Sequence, residues 1–449
     1  MDDLSPSEAI SDAYSSASKT LDLSFEELTE LPSDIGDLTG LSRLDLRGNH
    51  LSSLPDEFGN LTALSELNLG GNRFTELPSA IGNLTGLTRL FLGGNQITEF
   101  PSELSGLTRI DWLDLRSNQL TNCPAEISYL TNLTRLILDD NDLTELVIDP
   151  SNLGRLEFLS LAENRIESLS PSIAELSGLV ALNLRDNELT EFPLAITNLK
   201  ALRHLNLEDN QLTTLPGSIE KLDSLNHLNL SFNQLTELTQ SVASLERLTV
   251  LRLNGNKLTR LPHRIRELVN LRYLELRANQ FMEFPSEIGD LTNLNHLDFY
   301  RNQLASVPAK IGNLKNLEYL NFAGNQLASV PTEIGNLTNL EFFWLSSNRL
   351  TSIPVEIGNL RNLKDLGLSH NRLTSIPVEI GNLRKLERLS LGRNQLHDLP
   401  LGMGNLPDIR SLDISHNLLI TLPTDLESLK DRVFNRRRVL DFSDNPLAS

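Results

Sequence analysis

The sequence repeats itself every 23 residues, and this period runs from Leu41 through seventeen consecutive units to Ile409 without an insertion or a deletion. The first unit reads Leu-Ser-Arg-Leu-Asp-Leu-Arg-Gly-Asn-His-Leu, followed by a more variable half, and Leu64 begins the second unit. A unit of this length is too small to bury an apolar face by itself, so it must stack on its neighbours. The period therefore predicts a solenoid with one coil per unit.

The first half of each unit has the alternating pattern of a β-strand with one buried face. In the first unit Leu44 and Leu46 point to one side, while Arg43, Asp45 and Arg47 point to the other. Neighbouring coils in the same register would join these strands into a parallel sheet and pack their leucines together. We expect a long, thin and continuous core behind the sheet.

The ninth position of the unit is asparagine throughout, from Asn49 and Asn72 to Asn394 and Asn417, and again at Asn445. Backbone groups lose their sheet partners where a strand turns inward, and a buried amide has the donors and the acceptor to replace them. We therefore predict that these asparagines are structural and have no catalytic role.

The second half of each unit predicts an irregular or 3-10 helical side opposite the sheet. In a representative unit Pro354 fixes the chain as it leaves one turn, and Gly358 permits the next turn. The proline column fails only at Val147, Ser170 and Thr239. Prolines close to the first two exceptions indicate a locally rerouted chain rather than a functional site.

Both ends of the sequence depart from the repeat, as the ends of a solenoid should. We predict an N-terminal capping helix over residues 1–20, repeats over 21–431 in about 18 coils, and a C-terminal capping repeat over 432–449. The spacing stretches by five residues before Val439, and Arg432 lies in this insert, which we expect to form a polar lid. The unbroken repeat also predicts a single domain, despite a length of 449 residues.

The cysteine content and the absence of apolar segments predict the compartment. The sequence has one cysteine, Cys123, so no disulfide can form within the chain. It begins with neither a basic start nor an apolar run, and no stretch is long enough to cross a bilayer. We expect a cytoplasmic protein in a reducing environment, without insertion into a membrane.

The net charge of −20 is distributed unevenly along the chain. Residues 1–245 contain 14 Lys and Arg against 37 Asp and Glu, whereas residues 246–449 contain 25 against 22. A strongly acidic surface argues against binding to nucleic acid or to an anionic membrane. The charge instead favours a partner with a basic face.

Side chains at the third, fifth, seventh and eighth positions should line the concave face of the sheet, free of packing duties. Six rings of this face fall in four neighbouring coils, and we define them as the aromatic patch: Tyr273, His296, Tyr300, Tyr319, Phe342 and Trp344. A smaller cluster contains Trp112 and Phe158. Exposed aromatic clusters are typical of binding hot spots, so we predict a partner here. The alternative is that the rings only stack along the sheet and stiffen it.

Four successive coils have an acidic residue at the eighth position, and we define these residues as the acidic ridge: Asp140, Glu163, Asp186 and Asp209. Like charges stacked along one edge cost stability unless something neutralises them. Three interpretations stay open, namely a solvated acidic face, a docking ridge for a basic segment, and a calcium site. The calcium site is the least favoured, because the spacing and the glycine of an EF-hand are missing.

The sequence offers little support for catalysis. No P-loop, nucleophile elbow or kinase signature is present. We therefore predict no enzymatic activity, no cofactor and no metal site.

The segment Val330–Leu340 reads Val-Pro-Thr-Glu-Ile-Gly-Asn-Leu-Thr-Asn-Leu and resembles the 23-residue class of intracellular leucine-rich repeats. Ras-suppressor and Scribble-type scaffolds, the repeat arms of Roco GTPases and many bacterial proteins share this pattern. The resemblance covers nearly the whole chain. It implies an α/β solenoid, which is a leucine-rich repeat horseshoe with a concave parallel β-sheet and an irregular or 3-10 helical convex side.

In that family the concave face binds other proteins, including small GTPases and phosphatase subunits in signalling scaffolds. The resemblance therefore implies a non-enzymatic scaffold for a protein partner. The sequence departs from several relatives in having no GTPase, kinase, PDZ or ubiquitin-ligase module after the repeats. Any enzymatic output would then belong to the partner. Two alternatives stay open, a secreted microbial effector or recognition protein and a calcium-dependent binder.

Overall fold

A computed structural model describes residues 6–424, 426 and 439–447, and these form two compact units that divide between Leu212 and Thr213. Each unit is a parallel sheet of very short strands, with 3-10 helices opposite the strands. The predicted class, an α/β solenoid of leucine-rich repeats, is confirmed. No helix in the described part of the chain is both long and apolar enough to span a membrane.

The first unit begins with helix α1, Pro6–Ser15, which buries Ile10 and Ala13 against the first coil. Its strands are β1 Thr20–Asp22, β2 Arg43–Asp45, β3 Glu66–Asn68, β4 Arg89–Phe91, β5 Trp112–Asp114, β6 Arg135–Ile137, β7 Glu145–Leu146, β8 Phe158–Ser160, β9 Ser168–Leu169, β10 Ala181–Asn183 and β11 His204–Asn206. The predicted division into residues 1–20, 21–431 and 432–449 stays a prediction, as does the single domain.

Strands of consecutive coils pair in parallel, and each residue faces the residue 23 positions later, as Arg43 faces Glu66. Strands β7 and β9 lie outside this main ladder and pair only with each other, in a separate two-stranded ladder. These two strands end directly before Val147 and Ser170, where the proline of the repeat is missing. The rerouting predicted at these positions is therefore a second, local ladder.

The second unit continues the same strand arrangement to the end of the described chain. Its strands are β12 His227–Asn229, β13 Val250–Arg252, β14 Tyr273–Glu275, β15 His296–Asp298, β16 Tyr319–Asn321, β17 Phe342–Trp344, β18 Asp365–Gly367, β19 Arg388–Ser390, β20 Ser411–Asp413 and β21 Val439–Asp441. Ser411 pairs with Val439, so this last step is 28 residues and contains the predicted stretch of five. The proposed lid around Arg432 lies outside the described residues.

Short 3-10 helices follow the prolines on the side opposite the strands. In the first unit they span Ser33–Asp37, Asp56–Asn60, Ser79–Asn83, Ser102–Gly106, Ala125–Tyr129, Pro150–Asn152, Pro171–Glu175 and Leu194–Asn198. In the second they span Gly217–Lys221, Gln240–Ser244, His263–Glu267, Ser286–Asp290, Ala309–Asn313, Thr332–Asn336, Val355–Asn359, Val378–Asn382 and Met403–Asn405.

The glycine of the repeat has a different role from the one predicted. A Cβ atom placed on Gly358 would lie 2.7 Å from both the Cβ and the carbonyl oxygen of Glu379 in the next coil. Real Cβ atoms essentially never lie this close to a non-bonded atom, so a side chain at this position would push the two coils apart. Gly358 therefore permits the close approach of neighbouring 3-10 helices, rather than a turn.

The core and the asparagine ladder agree with the sequence prediction. Leu44 and Leu46 are fully buried. The side-chain nitrogen of Asn325 donates to the carbonyl oxygens of Phe299 and Phe322, both at 2.9 Å. Its oxygen accepts the amide of Leu304 at 3.0 Å. One buried side chain thus joins two neighbouring coils, and the predicted structural role is confirmed.

We expect Asn325→Ala to lower the free energy of unfolding by about 1–3 kcal/mol, because the substitution leaves buried backbone groups without partners. Asn339→Ala is the matched control, since Asn339 is exposed and donates only to the carbonyl oxygen of Lys315, at 3.0 Å. Urea unfolding measures both effects. Hydrogen exchange at the Leu304 amide should accelerate only in Asn325→Ala, and equal behaviour of the two variants would contradict the structural role of the ladder.

Candidate functional site

The open face of each sheet, which is the face away from the leucine core, is less free than the sequence suggested. An Asp or Asn at the fifth position caps the end of its own strand through the side chain. Asp45 accepts the amide of Arg47 at 3.1 Å, and Asp298 accepts the amide of Tyr300 at 2.8 Å. The prediction that the fifth position has no packing duty is therefore wrong, because its Asp or Asn replaces a lost sheet partner.

The eighth position has a left-handed backbone, which the repeat pattern did not reveal. Its φ is 54° at Asp140, 56° at Glu163, 55° at Asp186 and 55° at Asp209. Gly48, at the same position in an earlier coil, has a φ of 67°. Residues other than glycine are strained in this region, although Asp tolerates it better than most. The acidic ridge therefore lies on a sharp corner where the chain leaves the sheet.

All four residues of the acidic ridge are exposed, and their charges are only partly paired. Arg185 lies 3.4 Å from Glu163, while the other three ridge residues have no ion pair among the described residues. Asp139 lies next to the ridge, is half-buried and accepts the amide of Ala162 at 2.8 Å. Burial raises the pKa of Asp139, and the hydrogen bonds from Ser160 and Ala162 only partly oppose this. The ridge presents uncompensated negative charge to the solvent.

The smaller aromatic cluster is not a continuous ring surface. The guanidinium of Arg135 lies between Trp112 and Phe158, 4.7 Å and 4.8 Å from the ring centres. Phe91 contacts Trp112 edge to face at 5.2 Å. The indole nitrogen of Trp112 is buried and has no hydrogen-bond acceptor among the described residues. Trp112 and Phe158 therefore hold an arginine between them instead of touching each other.

The aromatic patch contains a regular stack of three rings. His296 lies between Tyr273 and Tyr319. The distance between ring centres is 3.8 Å to Tyr273 and 3.9 Å to Tyr319, and the angles between the ring planes are 11° and 12°. Trp344 meets Tyr319 edge to face at 5.0 Å, and Phe342 lies 6.5 Å from the same tyrosine. Stacking along the sheet, which the sequence left as an alternative to binding, is therefore present. Since the inner faces of the stack are covered, ring edges form much of this surface.

Two carboxylates hold the tyrosines of the stack in place. Tyr273 donates to Glu275 at 2.9 Å, and Tyr319 donates to Asp298 at 3.3 Å. Burial and the adjacent carboxylate raise the pKa of Tyr273 to about 12, and the same causes raise the pKa of Tyr319. Sequence reasoning missed both carboxylates. The available signal was an acidic residue at the fifth position beside a tyrosine in the third-position column.

His296 is neutral at physiological pH. Burial between the rings lowers its pKa to about 4, and the charge of Glu275 only partly opposes this effect. Its Nε2 atom lies 3.9 Å from the Glu275 carboxylate, which is too far for a hydrogen bond. The imidazole therefore acts here as a flat, uncharged member of the stack.

Tyr300 belongs to the patch by position but has different neighbours. The guanidinium groups of Arg277 and Arg301 lie 5.2 Å and 5.1 Å from its ring centre. Such contacts are favourable, because the face of an aromatic ring is electron-rich. The structure thus separates the six predicted residues into a stacked group and one tyrosine flanked by arginines.

Potential metal ligands do not cluster in the described residues. No group of three or more His, Cys, Asp or Glu side chains among them could hold a metal ion. Cys123 is buried, and burial raises the pKa of its thiol to about 12, so the reactive thiolate is not populated near neutral pH. What the open face offers is shape, ring surface and charge.

Comparisons with known protein families identify the repeat. A family described as a leucine-rich repeat region matches residues 18–94 and 263–353, and one described as a leucine rich repeat matches residues 77–120, 177–235, 224–281, 335–396 and 361–419. Together these matches cover well over half of the chain. A search of curated protein sequences finds no match.

Solved structures with the same fold come from bacteria and plants. A leucine-rich repeat protein of Leptospira interrogans is 38% identical, covering 86% of this chain and 93% of that chain, with a TM-score of 0.74. The Arabidopsis receptor kinase HAESA, in complex with the peptide hormone IDA and the co-receptor SERK1, is 26% identical over 95% of this chain and 81% of that chain, with a TM-score of 0.64. The plant peptide hormone receptor RGFR1, in complex with RGF2, is 28% identical over 96% and 90%, with a TM-score of 0.52.

The stacked position of His296 can be tested by titration. We expect an NMR midpoint of about 4 for this imidazole, and a still lower midpoint in Glu275→Gln, because the lost carboxylate favours the charged ring. The unfolded chain binds this proton near pH 6.5, so the free energy of unfolding should fall as the pH falls from 6.5 to about 4. His296→Phe should remove that part of the pH dependence. A midpoint near 6.5 would contradict the buried stack.

Proposed function

Because the chain belongs to the leucine-rich repeat family, we propose that it is a non-enzymatic module that binds a protein partner on the open face of its sheet. Leucine-rich repeat proteins generally act as binding modules for proteins or peptides. HAESA and RGFR1, which share the fold, were each solved with such a partner. Any chemical step in the process would then belong to the partner.

The ordered ring stack is the observation that supports this proposal most directly. Tyr273, His296 and Tyr319 are held at stacking distance, and the two tyrosine hydroxyls are bonded to the half-buried Glu275 and the buried Asp298. Rings that are already fixed lose little conformational freedom when a partner covers them, so more of the contact energy appears as affinity. Stacking therefore prepares this surface for binding and is not an alternative to it.

The acidic ridge supplies a second contact in the proposal, for a basic segment of the partner. Its charges are exposed and mostly unpaired. Exposed charges contribute little to final affinity but accelerate association by attracting the opposite charge over a distance. The ridge therefore acts on the rate of encounter.

We propose a cytoplasmic location on the basis of the single cysteine, and a role in intracellular signalling on the basis of the family resemblance. Small GTPases and phosphatase subunits, which the resemblance implies, are the first candidates for direct binding tests. A secreted recognition protein is the second candidate, supported by the likeness to receptors of peptide hormones. Fractionation of the source organism with an antibody against the chain decides between the two.

Substitution of the patch tests the proposed function. Tyr319→Ala and Trp344→Ala should each lower partner affinity by about 2 kcal/mol if these residues are hot spots. Tyr129→Ala is the matched control, because Tyr129 is an exposed tyrosine of a 3-10 helix on the opposite side. Capture from a lysate, followed by titration of each captured protein, measures the losses. If the double variant retains every partner of the unmodified chain, the patch is not the binding site.

Charge reversal tests the acidic ridge separately. Asp186→Lys combined with Asp209→Lys should slow association and flatten its salt dependence, while dissociation stays nearly unchanged. Relief of the stacked like charges stabilises the free protein, but lysine tolerates the left-handed backbone of these positions less well than Asp, so the free energy of unfolding should change little. Glu175→Lys combined with Glu191→Lys makes the same change of net charge at exposed positions away from the ridge. If the stopped-flow association rate of the unmodified protein does not depend on salt, the acidic ridge is only a solvated face.

A further inference from the structure

The eighth and tenth positions of the second unit carry the opposite charge from those of the acidic ridge. Between Gly255 and Gln395 these two columns contain no Asp or Glu. Their basic side chains, which we define as the basic edge, are Lys257, Arg301, Arg349, His370, Arg372 and Arg393. All six are exposed. The same corner of the repeat is thus acidic in one unit and basic in the other.

The five Lys and Arg side chains of the basic edge are not neutralised within the described part of the chain. None of the six lies within ion-pair distance of an Asp or Glu in the described part of the chain. Arg388 of strand β19 differs, because it is bonded to Asp365 at 2.7 Å. Lys257 donates to the neutral Gln234 at 3.2 Å. An arginine without a carboxylate keeps its planar fork of donors available for one. The edge therefore has free capacity for anionic groups.

Successive coils hold these side chains at the spacing of the sheet. The amide of His370 donates to the carbonyl oxygen of Gly392 at 2.9 Å, and the amide of Arg393 donates to that of Ser415 at 2.9 Å. Backbone bonds between coils keep the coils about 4.8 Å apart. The basic residues consequently lie in two columns, with Arg301, His370 and Arg393 at the eighth position and Lys257, Arg349 and Arg372 at the tenth, and the coils that begin at Leu271 and Leu317 contribute none.

The basic edge is continuous with the aromatic patch. Arg301 belongs to the edge, and its guanidinium lies 5.1 Å from the ring centre of Tyr300, a member of the patch. Arg277 covers the same ring from a distance of 5.2 Å and is only 3.9 Å from the carboxylate of Asp298. A bound segment that covers Tyr300 would therefore also contact the guanidinium groups of Arg277 and Arg301.

We infer that the second unit binds an acidic segment of a partner protein, with Asp or Glu side chains on the basic edge and apolar or aromatic side chains on the aromatic patch. The inference rests on the proposed function, and it specifies the chemistry of the partner at this unit. The inferred partner segment is acidic, whereas the net charge of −20 favours a basic partner. The two differ because the net charge is dominated by the first half of the chain. Charge acts on a partner locally, over roughly the 8 Å screening length at physiological salt.

A polypeptide fits this surface better than a nucleic acid does. Bases bind proteins by stacking on an open ring face, but both faces of His296 are already covered, by Tyr273 and Tyr319. Glu275 and Asp298 lie among the rings and would repel a continuous phosphate backbone. Single carboxylates spaced along a peptide can follow the edge and avoid these two groups.

A short fluorescent peptide of alternating Glu and Tyr is the probe, and anisotropy measures its binding to the full chain. We expect Arg372→Glu combined with Arg393→Glu to weaken binding about tenfold at low salt, and high salt to remove the difference. Arg361→Glu combined with Arg384→Glu is the matched control. These two arginines are exposed, follow the 3-10 helices Val355–Asn359 and Val378–Asn382, and give the same change of net charge.

Three results would overturn the inference. Stronger binding of a Lys–Tyr peptide would assign the opposite charge to the partner. Tighter binding of a single-stranded oligonucleotide, lost on reversal of the edge, would assign the surface to nucleic acid. Self-association in sedimentation that the same reversal abolishes would assign the edge to a second copy of the chain.

Failure of this inference is distinguishable from failure of the proposed function. If edge reversal leaves peptide binding and lysate capture unchanged while Tyr319→Ala with Trp344→Ala loses the captured partner, only the acidic segment is wrong. If both pairs of substitutions leave capture unchanged, the open face of the second unit is not a binding site. Circular dichroism of each variant confirms that the fold is retained in every comparison.

Discussion

The amide of the repeated asparagine is the interaction on which the rest of the structure depends. Asn325 shows the pattern, donating to a carbonyl of the previous coil and to one of its own coil while accepting an amide of the previous coil. Each strand ends where its backbone would otherwise be buried without partners, and this side chain satisfies several groups at once. An insertion at this point would displace the amide from those groups, whereas the 28-residue step before Asn445 keeps them, with Asn445 donating to Ile414 at 3.0 Å and accepting the amide of Leu419 at 3.1 Å.

A constant step has a consequence for the surface, since side chains at the same position of successive coils become direct neighbours. The carboxylate of Glu66 lies 3.2 Å from the guanidinium of Arg43 and 2.6 Å from that of Arg89. In the same way, His296 lies between two tyrosines. The columns of the open face therefore stabilise the sheet and present a surface at the same time. In this protein the same ring can stabilise the sheet and form part of a binding surface.

Charged side chains also become neighbours when they occupy the same position in successive coils. Position eight is acidic at Asp186 and Asp209 in the first unit and basic at Arg301 and Arg393 in the second. Summing charges over the whole chain hides this change of sign, whereas following one column reveals it. The partner chemistry proposed for the second unit depends on that distinction, because screening confines each charge to its own neighbourhood.

The sequence by itself determined the fold, the strands, the structural asparagines and the positions of the rings on the open face, because each depends on one residue type at one place in a fixed period; the rings are half-buried, not exposed. Only the tertiary structure decided that Asp298 caps a strand while bonded to Tyr319, that Arg135 separates Trp112 from Phe158, and that the residue at the eighth position, such as Asp186, has a positive φ. These features depend on backbone angles and side-chain rotamers in adjoining coils. Spacing along the chain specifies which residues become neighbours, but not how neighbours share their contacts.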